Sequence, residues 1–549
     1  MVFKGLVLQA IFALLTTLQS SATTLVKLSY GSFEGKTSEN LVEFLGIPFA
    51  SPPVGPLRFA APVKPKAFHG TRQATSFAPA CPQQAIMPLP LFPPTSVPPA
   101  NISEDCLYLN IIKPAKIVPG KKLPVIFYIF GGAFEIGDTT QVHGDSLVNR
   151  SLDLGEPIIY VAASYRVNAF GFLGGKEVQA AGLGNVGLLD QRFALEWVQK
   201  HIGAFGGDPK KVTIWGISAG AVSVALHMLQ NEGSTQGLFR AGAMQSGSPI
   251  RLPGILRQQK YFDSLVADTN CTASTDRLKC LRDAPFDQLM AAINRTPNFL
   301  SYESLNLAWQ PMVDGKLIVR DPLVSLQQGK YAKIPFISGE NEDEGTLFSL
   351  STTNITTNAE YLEYMKSNYF PNLAHEDLPT LESVYPDDVT QGSPFNTGSA
   401  NALTPQYKRL AAVQGDLEFQ APRRFFSRIT SKTQPVYGFR YTRTSQPALL
   451  GVRHGADRDE FVGEGANPEF IGTDALIYLT CNGDPNPPEG SKSLLRNVKW
   501  EPYSSSLDQP PLLTFVDGES RVNITFDTHR SEAMELLTRL SLNEIVKPF

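Results

Sequence analysis

Val212-Thr213-Ile214-Trp215-Gly216-Ile217-Ser218-Ala219-Gly220-Ala221 joins an apolar run to a helical one through a glycine-flanked serine, and this join sets the architecture of the whole 549-residue chain. Val212 to Trp215 is β-branched and aromatic, as a buried strand requires. Ala221 to Leu229 is a good helical run. Between them lies Gly216-Ile217-Ser218-Ala219-Gly220, a G-x-S-x-G pattern in the strand–turn–helix setting of a nucleophile elbow. A turn this sharp leaves no room for side chains at its flanks and holds the serine in a strained backbone region. The pattern alone arises by chance in roughly one chain in four of this length. Its meaning comes from the strand before it, the helix after it and a second element upstream.

That element is Phe130-Gly131-Gly132-Ala133-Phe134, at the end of the run Val125 to Phe130. Small residues there let backbone N–H groups point at a carbonyl oxygen, and with the N–H of Ala219 they can form an oxyanion hole. Further continuous apolar runs lie at Ile158 to Ala163, Ala241 to Met244, Pro335 to Ser338, Val436 to Tyr441 and Leu512 to Val516. Continuous rather than alternating runs suit strands buried on both faces. Helical patterns separate them, clearest from Leu188 to Phe205. Strand–helix alternation predicts an α/β fold with a largely parallel sheet. The stretches from about Leu252 to Tyr331 and from about Thr352 to Arg428 read as helical excursions from that sheet.

A nucleophilic serine needs a base and an orienting acid, in the order Ser, acid, His for this arrangement. His375, His454 and His529 lie well downstream. His375 opens a polar helical stretch and His529 precedes the last one. His454 sits in the glycine-flanked loop Gly451-Val452-Arg453-His454-Gly455, a placement that favours it. The acid candidates fill Glu340-Asn341-Glu342-Asp343-Glu344, where the strand ending at Ser338 runs out, and physical chemistry alone leaves the choice among them open.

Composition narrows the setting. Hydrophobic residues make up 42% and charged residues 18%, which excludes wholesale disorder. The net charge is -4 and no basic block occurs, so nothing favours a nucleic-acid partner. Residues 1–22 read as a secretory signal: Lys4, an apolar stretch from Gly5 to Leu18 too short to span a bilayer, then Ser20-Ser21-Ala22 for cleavage. The C-terminus carries no hydrophobic tail for an anchor. A secreted, extracellular protein is expected, with residues 23–549 forming a single α/β domain. In an oxidising compartment the local pairs Cys81–Cys106 and Cys271–Cys280 are expected to be disulfides, leaving Cys481 a free, buried thiol. The sequons at Asn101, Asn149, Asn270, Asn294, Asn354 and Asn523 are glycosylation candidates.

A family resemblance runs along nearly all of residues 23–549. It is carried by Gly46-Ile47-Pro48-Phe49-Ala50, Pro52-Pro53-Val54-Gly55, Ser103-Glu104-Asp105-Cys106-Leu107-Tyr108-Leu109-Asn110, Tyr165-Arg166-Val167-Asn168, Gly184-Asn185-Val186-Gly187-Leu188-Leu189-Asp190-Gln191 and Phe205-Gly206-Gly207-Asp208-Pro209. The chain resembles the type-B carboxylesterase/lipase family, which includes cholinesterases and fungal lipases of the Candida rugosa and Geotrichum type. Asp484-Pro485-Asn486 and Val498-Lys499-Trp500 resemble the fungal branch. The resemblance implies an α/β-hydrolase fold and a serine carboxylic-ester hydrolase acting through an acyl-enzyme. It assigns Ser218 as nucleophile, Glu344 as acid and His454 as base, places the oxyanion N–H groups on Gly132, Ala133 and Ala219, and matches both disulfide pairs. It implies small-molecule or lipid esters as substrates, with no metal, no cofactor and no stable membrane anchor, and leaves the oligomeric state open. Within it, carboxylesterase, triacylglycerol lipase or sterol esterase, and feruloyl-type esterase are alternatives. A peptidase or a non-catalytic binding protein on the same fold is a reading of a different class. Two departures stand out: Ile217 replaces the usual glutamate before the serine, and Ala133 replaces the third oxyanion glycine.

In the fungal lipases the loop closed by the first disulfide is a lid. Here Pro82 to Asp105 holds seven prolines, Pro82, Pro88, Pro90, Pro93, Pro94, Pro98 and Pro99, a density that forbids an amphipathic helix. With Ile86, Met87, Leu89, Leu91 and Phe92 to cover, it is expected to form a semi-rigid apolar rim. Such a rim favours soluble or moderately lipophilic esters and little interfacial activation.

Overall fold

A computed structural model describes residues 24–86, 101–465 and 468–546. The expected signal at 1–22 and the loop positions Met87, Leu89, Leu91 and Phe92 lie outside the described residues.

The continuous apolar runs find cover on both faces in an 11-stranded sheet. Across it the strands follow the order Val522–Phe526, Pro511–Phe515, Val436–Tyr441, Phe336–Asn341, Ala241–Gln245, Gly207–Ile217, Leu123–Ile129, Ile159–Ala163, Tyr108–Pro114, Leu41–Pro48 and Lys36–Ser38. From Pro511–Phe515 through Ile159–Ala163 every neighbouring pair is parallel. The outer pairs at both ends are antiparallel. All the parallel strands coincide with runs visible in the sequence. Leu41–Pro48 and Tyr108–Pro114 do not, because buried Glu43, Asn110 and Lys113 interrupt their apolar pattern. Two of these are compensated. Asn110 donates to Thr139 Oγ1 (2.8 Å) and accepts the N–H of Gly46 (2.9 Å), while Glu43 pairs with Lys36 at 3.2 Å. A separate three-stranded sheet is built from Leu25–Leu28, Gly31–Glu34 and Thr71–Gln73.

The strand order reverses between Leu123–Ile129 and Gly207–Ile217. The chain adds Ile159–Ala163 on one side of this pair and everything from Ala241–Gln245 onward on the other. Crevices at the carboxyl ends of strands flanking such a reversal are where open α/β sheets bind ligands. Both the Gly131–Phe134 loop and the Ser218 turn leave the sheet there. Helix Val186–His201 covers the sheet where the sequence placed it. The first excursion carries helices Gln259–Asp268, Arg277–Asp283 and Phe286–Ile293. The second packs Tyr361, Tyr364, Leu410 and Val413 against Met534 and Leu537 of the final helix, Ser531–Val546. Cys81–Cys106 and Cys271–Cys280 are disulfide-bonded, as expected. Cys481 is a thiol but only half-buried, not buried. Among the described residues no helix is long and apolar enough to cross a membrane.

Candidate active site

Ser218 closes the strand Gly207–Ile217 and opens the helix Ala219–Leu229 with φ 59° and ψ -126°, a region that L-residues rarely adopt. The flanking glycines make the turn possible. A Cβ on Gly216 would lie 2.3 Å from the carbonyl of Gly220, and one on Gly220 would lie 2.0 Å from the carbonyl oxygen of Ile129. The Ser218 N–H donates to Gln245 O at 2.8 Å, which fixes the turn to the neighbouring strand end.

The loop after Ile129 lies directly against this turn, since a Cβ on Gly131 would come within 2.9 Å of Ser218 Cβ. Gly132, Ala133 and Phe134 all have positive φ, at 123°, 55° and 61°. Ala133 therefore keeps a glycine-like backbone at the cost of strain. The loop is held from several sides. Glu135 and Ile136 donate their N–H groups to Gly132 O, Asn168 N–H to Phe134 O, and Tyr165 Oη–H to Phe130 O. Among the described residues, no backbone carbonyl accepts the N–H groups of Gly132, Ala133 or Ala219. Three donors are thus free beside Ser218.

On the other side, Glu344 and His454 meet. His454 Nδ1 is 2.5 Å from Glu344 Oε2. The other oxygen of Glu344 accepts the Asn341 N–H (2.6 Å), the Ser246 hydroxyl (2.7 Å) and, at 3.2 Å, the Asn341 side-chain amide. Phe348 and Phe419 pack on the imidazole, with ring centroids 5.1 and 5.0 Å away. Phe419 belongs to a π-helical turn, Asp416–Gln420, of the kind often found at functional sites. Gln245 and Ser246, adjacent in sequence, thus hold the Ser218 turn and the Glu344 carboxylate respectively.

The competing candidates are occupied elsewhere. His375 is exposed. His529 lies against Arg424 and Gln420. Glu342 pairs with Arg440, and Asp343 accepts from Ser393 Oγ, Phe395 N–H and Val452 N–H. Glu340 is fully buried with neither oxygen bonded among the described residues, and burial pushes its carboxyl well above the ordinary range. Among the described residues no cluster of side chains has the make-up of a metal site. Five of the sequon asparagines are exposed (Asn101, Asn270, Asn294, Asn354 and Asn523), and Asn149 is half-buried in a helix.

One residue escaped the sequence reading. Asp457, fully buried, accepts from Gln245 Nε2 at 2.9 Å and from Asn341 Nδ2 at 3.0 Å. It is a second carboxylate near the Glu344–His454 pair, while position 217 holds a buried isoleucine. Its place three residues after His454, one helical turn on, was the available signal. Burial, reinforced by the negative charge of Glu344, pushes its carboxyl up to about 6. A raised carboxyl favours the folded state fully below the unfolded value, near 4, and loses that advantage as pH rises through the folded one. Asp457→Asn removes this titration. The variant is expected to gain stability relative to the parent between about pH 4 and pH 7, by on the order of 1–3 kcal/mol. Thermal unfolding of both proteins across that range checks it. A Tm difference independent of pH would show that Asp457 does not titrate there.

Comparisons with known proteins identify the family. The family model described as "Carboxylesterase family" matches residues 22–469. The chain is similar to "Secreted lipase 1" of Botryotinia fuckeliana, 40% identical over 514 residues covering 89% of this chain and 87% of that protein. It is similar to "Secreted triacylglycerol lipase LIP1" of Gibberella zeae, 36% identical over 541 residues covering 94% and 90%. Among solved structures it is similar to the crystal structure of Aspergillus niger EstA, with a TM-score of 0.80 at 25% identity over 96% of this chain and 99% of that one. On the family match and these relatives, the chain belongs to the carboxylesterase family and is a carboxylic-ester hydrolase with an α/β-hydrolase fold.

Proposed function

We propose that hydrolysis runs through an acyl-enzyme on Ser218, with His454 as general base, Glu344 as the acid that orients it, and the N–H groups of Gly132, Ala133 and Ala219 as the oxyanion hole. The observation that carries this reading is the 2.5 Å contact between His454 Nδ1 and Glu344 Oε2, with Glu344 bonded to Ser246 and the strained Ser218 bonded to the adjacent Gln245. Glu344 fixes the proton on Nδ1, so Nε2 is free to take the Ser218 proton. The hydroxyl oxygen attacks the ester carbonyl, and the developing oxyanion meets the free N–H groups. Each such donor is worth about 3 kcal/mol in a comparable hydrolase. His454 passes its proton to the departing alcohol, and water cleaves the acyl-enzyme by the same route. Ser218 gives its proton to the departing alcohol and regains one from water, both by way of His454.

The protein is proposed to be secreted after loss of residues 1–22, as relatives named secreted lipases suggest, leaving one catalytic domain over residues 23–549. Its substrates are esters with a lipophilic acyl part. We favour soluble or moderately lipophilic ones because the stem of the Pro82–Asp105 loop is pinned. Gln83 Nε2 donates to Cys81 O and Gly137 O, and Gln84 Nε2 to Ile293 O and Thr296 O. A stem bonded this way does not swing. The test is a series of p-nitrophenyl esters of graded acyl length beside tributyrin, with methyl ferulate and a sterol ester as controls. The expected tributyrin rate saturates smoothly through the solubility limit. A step rise above that limit would overturn this preference and identify an interfacial lipase.

A further inference from the structure

Glu135 lies two residues beyond Ala133, and no step of the chemistry above uses it. Its side chain is completely buried. Oε2 accepts the N–H of Phe299 at 2.9 Å, while Oε1 has no partner among the described residues. Its carbonyl also accepts the N–H of Gln84 at 3.1 Å, in the pinned stem. A carboxylate with a single hydrogen bond in such a place is costly, and burial pushes the group well above the ordinary carboxylate range. Phe299 leads to the other half of the site. Its ring meets Phe348 edge-on at 6.3 Å, and Phe348 meets His454 edge-on at 5.1 Å.

We propose that Glu135 is a positioning residue that locks the oxyanion loop to the histidine side of the site through Phe299. The chain of contact runs Ala133–Phe134–Glu135, across the hydrogen bond to Phe299, then ring to ring through Phe348 to His454. The loop needs such a lock. Ala133 and Phe134 hold positive φ without being glycine, and strained conformations persist only where the surroundings over-determine them. Oxyanion donors act through placement relative to the nucleophile and base, so a loop free to relax loses transition-state binding while substrate still binds. The proposal rests on reading Gly132 and Ala133 as oxyanion donors.

The experiment uses the full secreted chain with Glu135→Leu, Glu135→Gln and Phe299→Ala, and Ser218→Ala alongside. It reads kcat and KM on p-nitrophenyl butyrate, and affinity for an alkyl trifluoromethyl ketone, which forms a tetrahedral adduct with an active serine. Glu135→Leu is expected to lower kcat by about tenfold to a hundredfold with KM within about twofold, and to weaken the ketone by the same factor as kcat. Glu135→Gln keeps an oxygen for the Phe299 N–H and is expected to restore both to within about threefold of the parent. Phe299→Ala is expected to follow Glu135→Leu, and it decides the matter if Glu135→Leu does not fold. Unchanged kcat, a fall in kcat without a matching loss of ketone affinity, or a Glu135→Gln variant as impaired as Glu135→Leu each overturns the proposal. Activity surviving in Ser218→Ala would instead overturn the assignment of the site on which it rests.

Discussion

Ser218→Ala is expected to lower kcat by about a million-fold and to abolish labelling by a fluorophosphonate, with the fold intact. The size follows from the cooperation of the parts. Without the hydroxyl, His454 has no proton to accept and the oxyanion donors have no tetrahedral adduct to bind, so only weak positioning of water remains. The same position offers a second, independent readout. Ser218 is held at φ 59° and ψ -126° by its N–H bond to Gln245 and by the glycine crossing beneath it. Such a conformation costs about 1–3 kcal/mol for a residue with a Cβ and little for glycine. Glycine also loosens the unfolded chain, which subtracts about 0.5–1 kcal/mol. Ser218→Gly is therefore expected to be as inactive as Ser218→Ala yet more stable than it, by on the order of 1 kcal/mol. Thermal unfolding of the two inactive variants isolates the strain, because neither retains the hydroxyl. Equal Tm values would mean that no strain is stored at the turn. Retained activity or labelling in either variant would place the nucleophile elsewhere.

What could be read from the sequence follows from where the determining contacts lie along the chain. The Ser218 turn was readable because its causes are local: an apolar run, two glycines and a helical run within some twenty residues. The parallel strands were readable because burial on both faces writes itself as unbroken apolar sequence. Glu344 was not separable from Glu340, Glu342 and Asp343 on chemical grounds, since all are carboxylates within one turn of each other. What distinguishes them comes from far away. Arg440 takes Glu342, Ser393 and Val452 take Asp343, and Ser246 and His454 take Glu344. Only the family resemblance chose among them, and its choice is the carboxylate that contacts His454. Asp457 escaped for the same reason. Its importance lies in the hydrogen bonds it accepts from Gln245 and Asn341, at the ends of two neighbouring strands, and its spacing from His454 does not reveal those partners. The buried polar groups of Leu41–Pro48 and Tyr108–Pro114 show the converse, for a paired polar residue inside the core looks like a surface residue in sequence.

Glu344→Gln is expected to lower kcat by about ten-thousand-fold while leaving the backbone in place, the scale of the comparable acid-to-amide change in a serine protease. The hydrogen-bond inventory gives the reason. Oε1 of Glu344 is met only by donors on one side, the Asn341 N–H, the Asn341 amide and the Ser246 hydroxyl. A glutamine satisfies these with its carbonyl oxygen, which turns its NH2 toward His454. That NH2 can only donate, so Nδ1 must become the acceptor and the ring proton moves to Nε2. An imidazole in that tautomer cannot take the Ser218 proton. The opposite amide orientation would set the NH2 against two donors of Asn341, a cost of about 1–3 kcal/mol for each polar group left unpaired in the core. The wrong tautomer is therefore the one the surroundings select. Fluorophosphonate labelling, which also needs the activated hydroxyl, should slow in step with kcat. A loss below about tenfold would mean that another carboxylate steadies the imidazolium. Asp457 is the group to test next, since it lies within the field of both Glu344 and His454. In that case Glu344→Gln with Asp457→Asn would lose far more than the two single changes combined. If Glu344 alone is the acid, the double variant should be no slower than the product of the two.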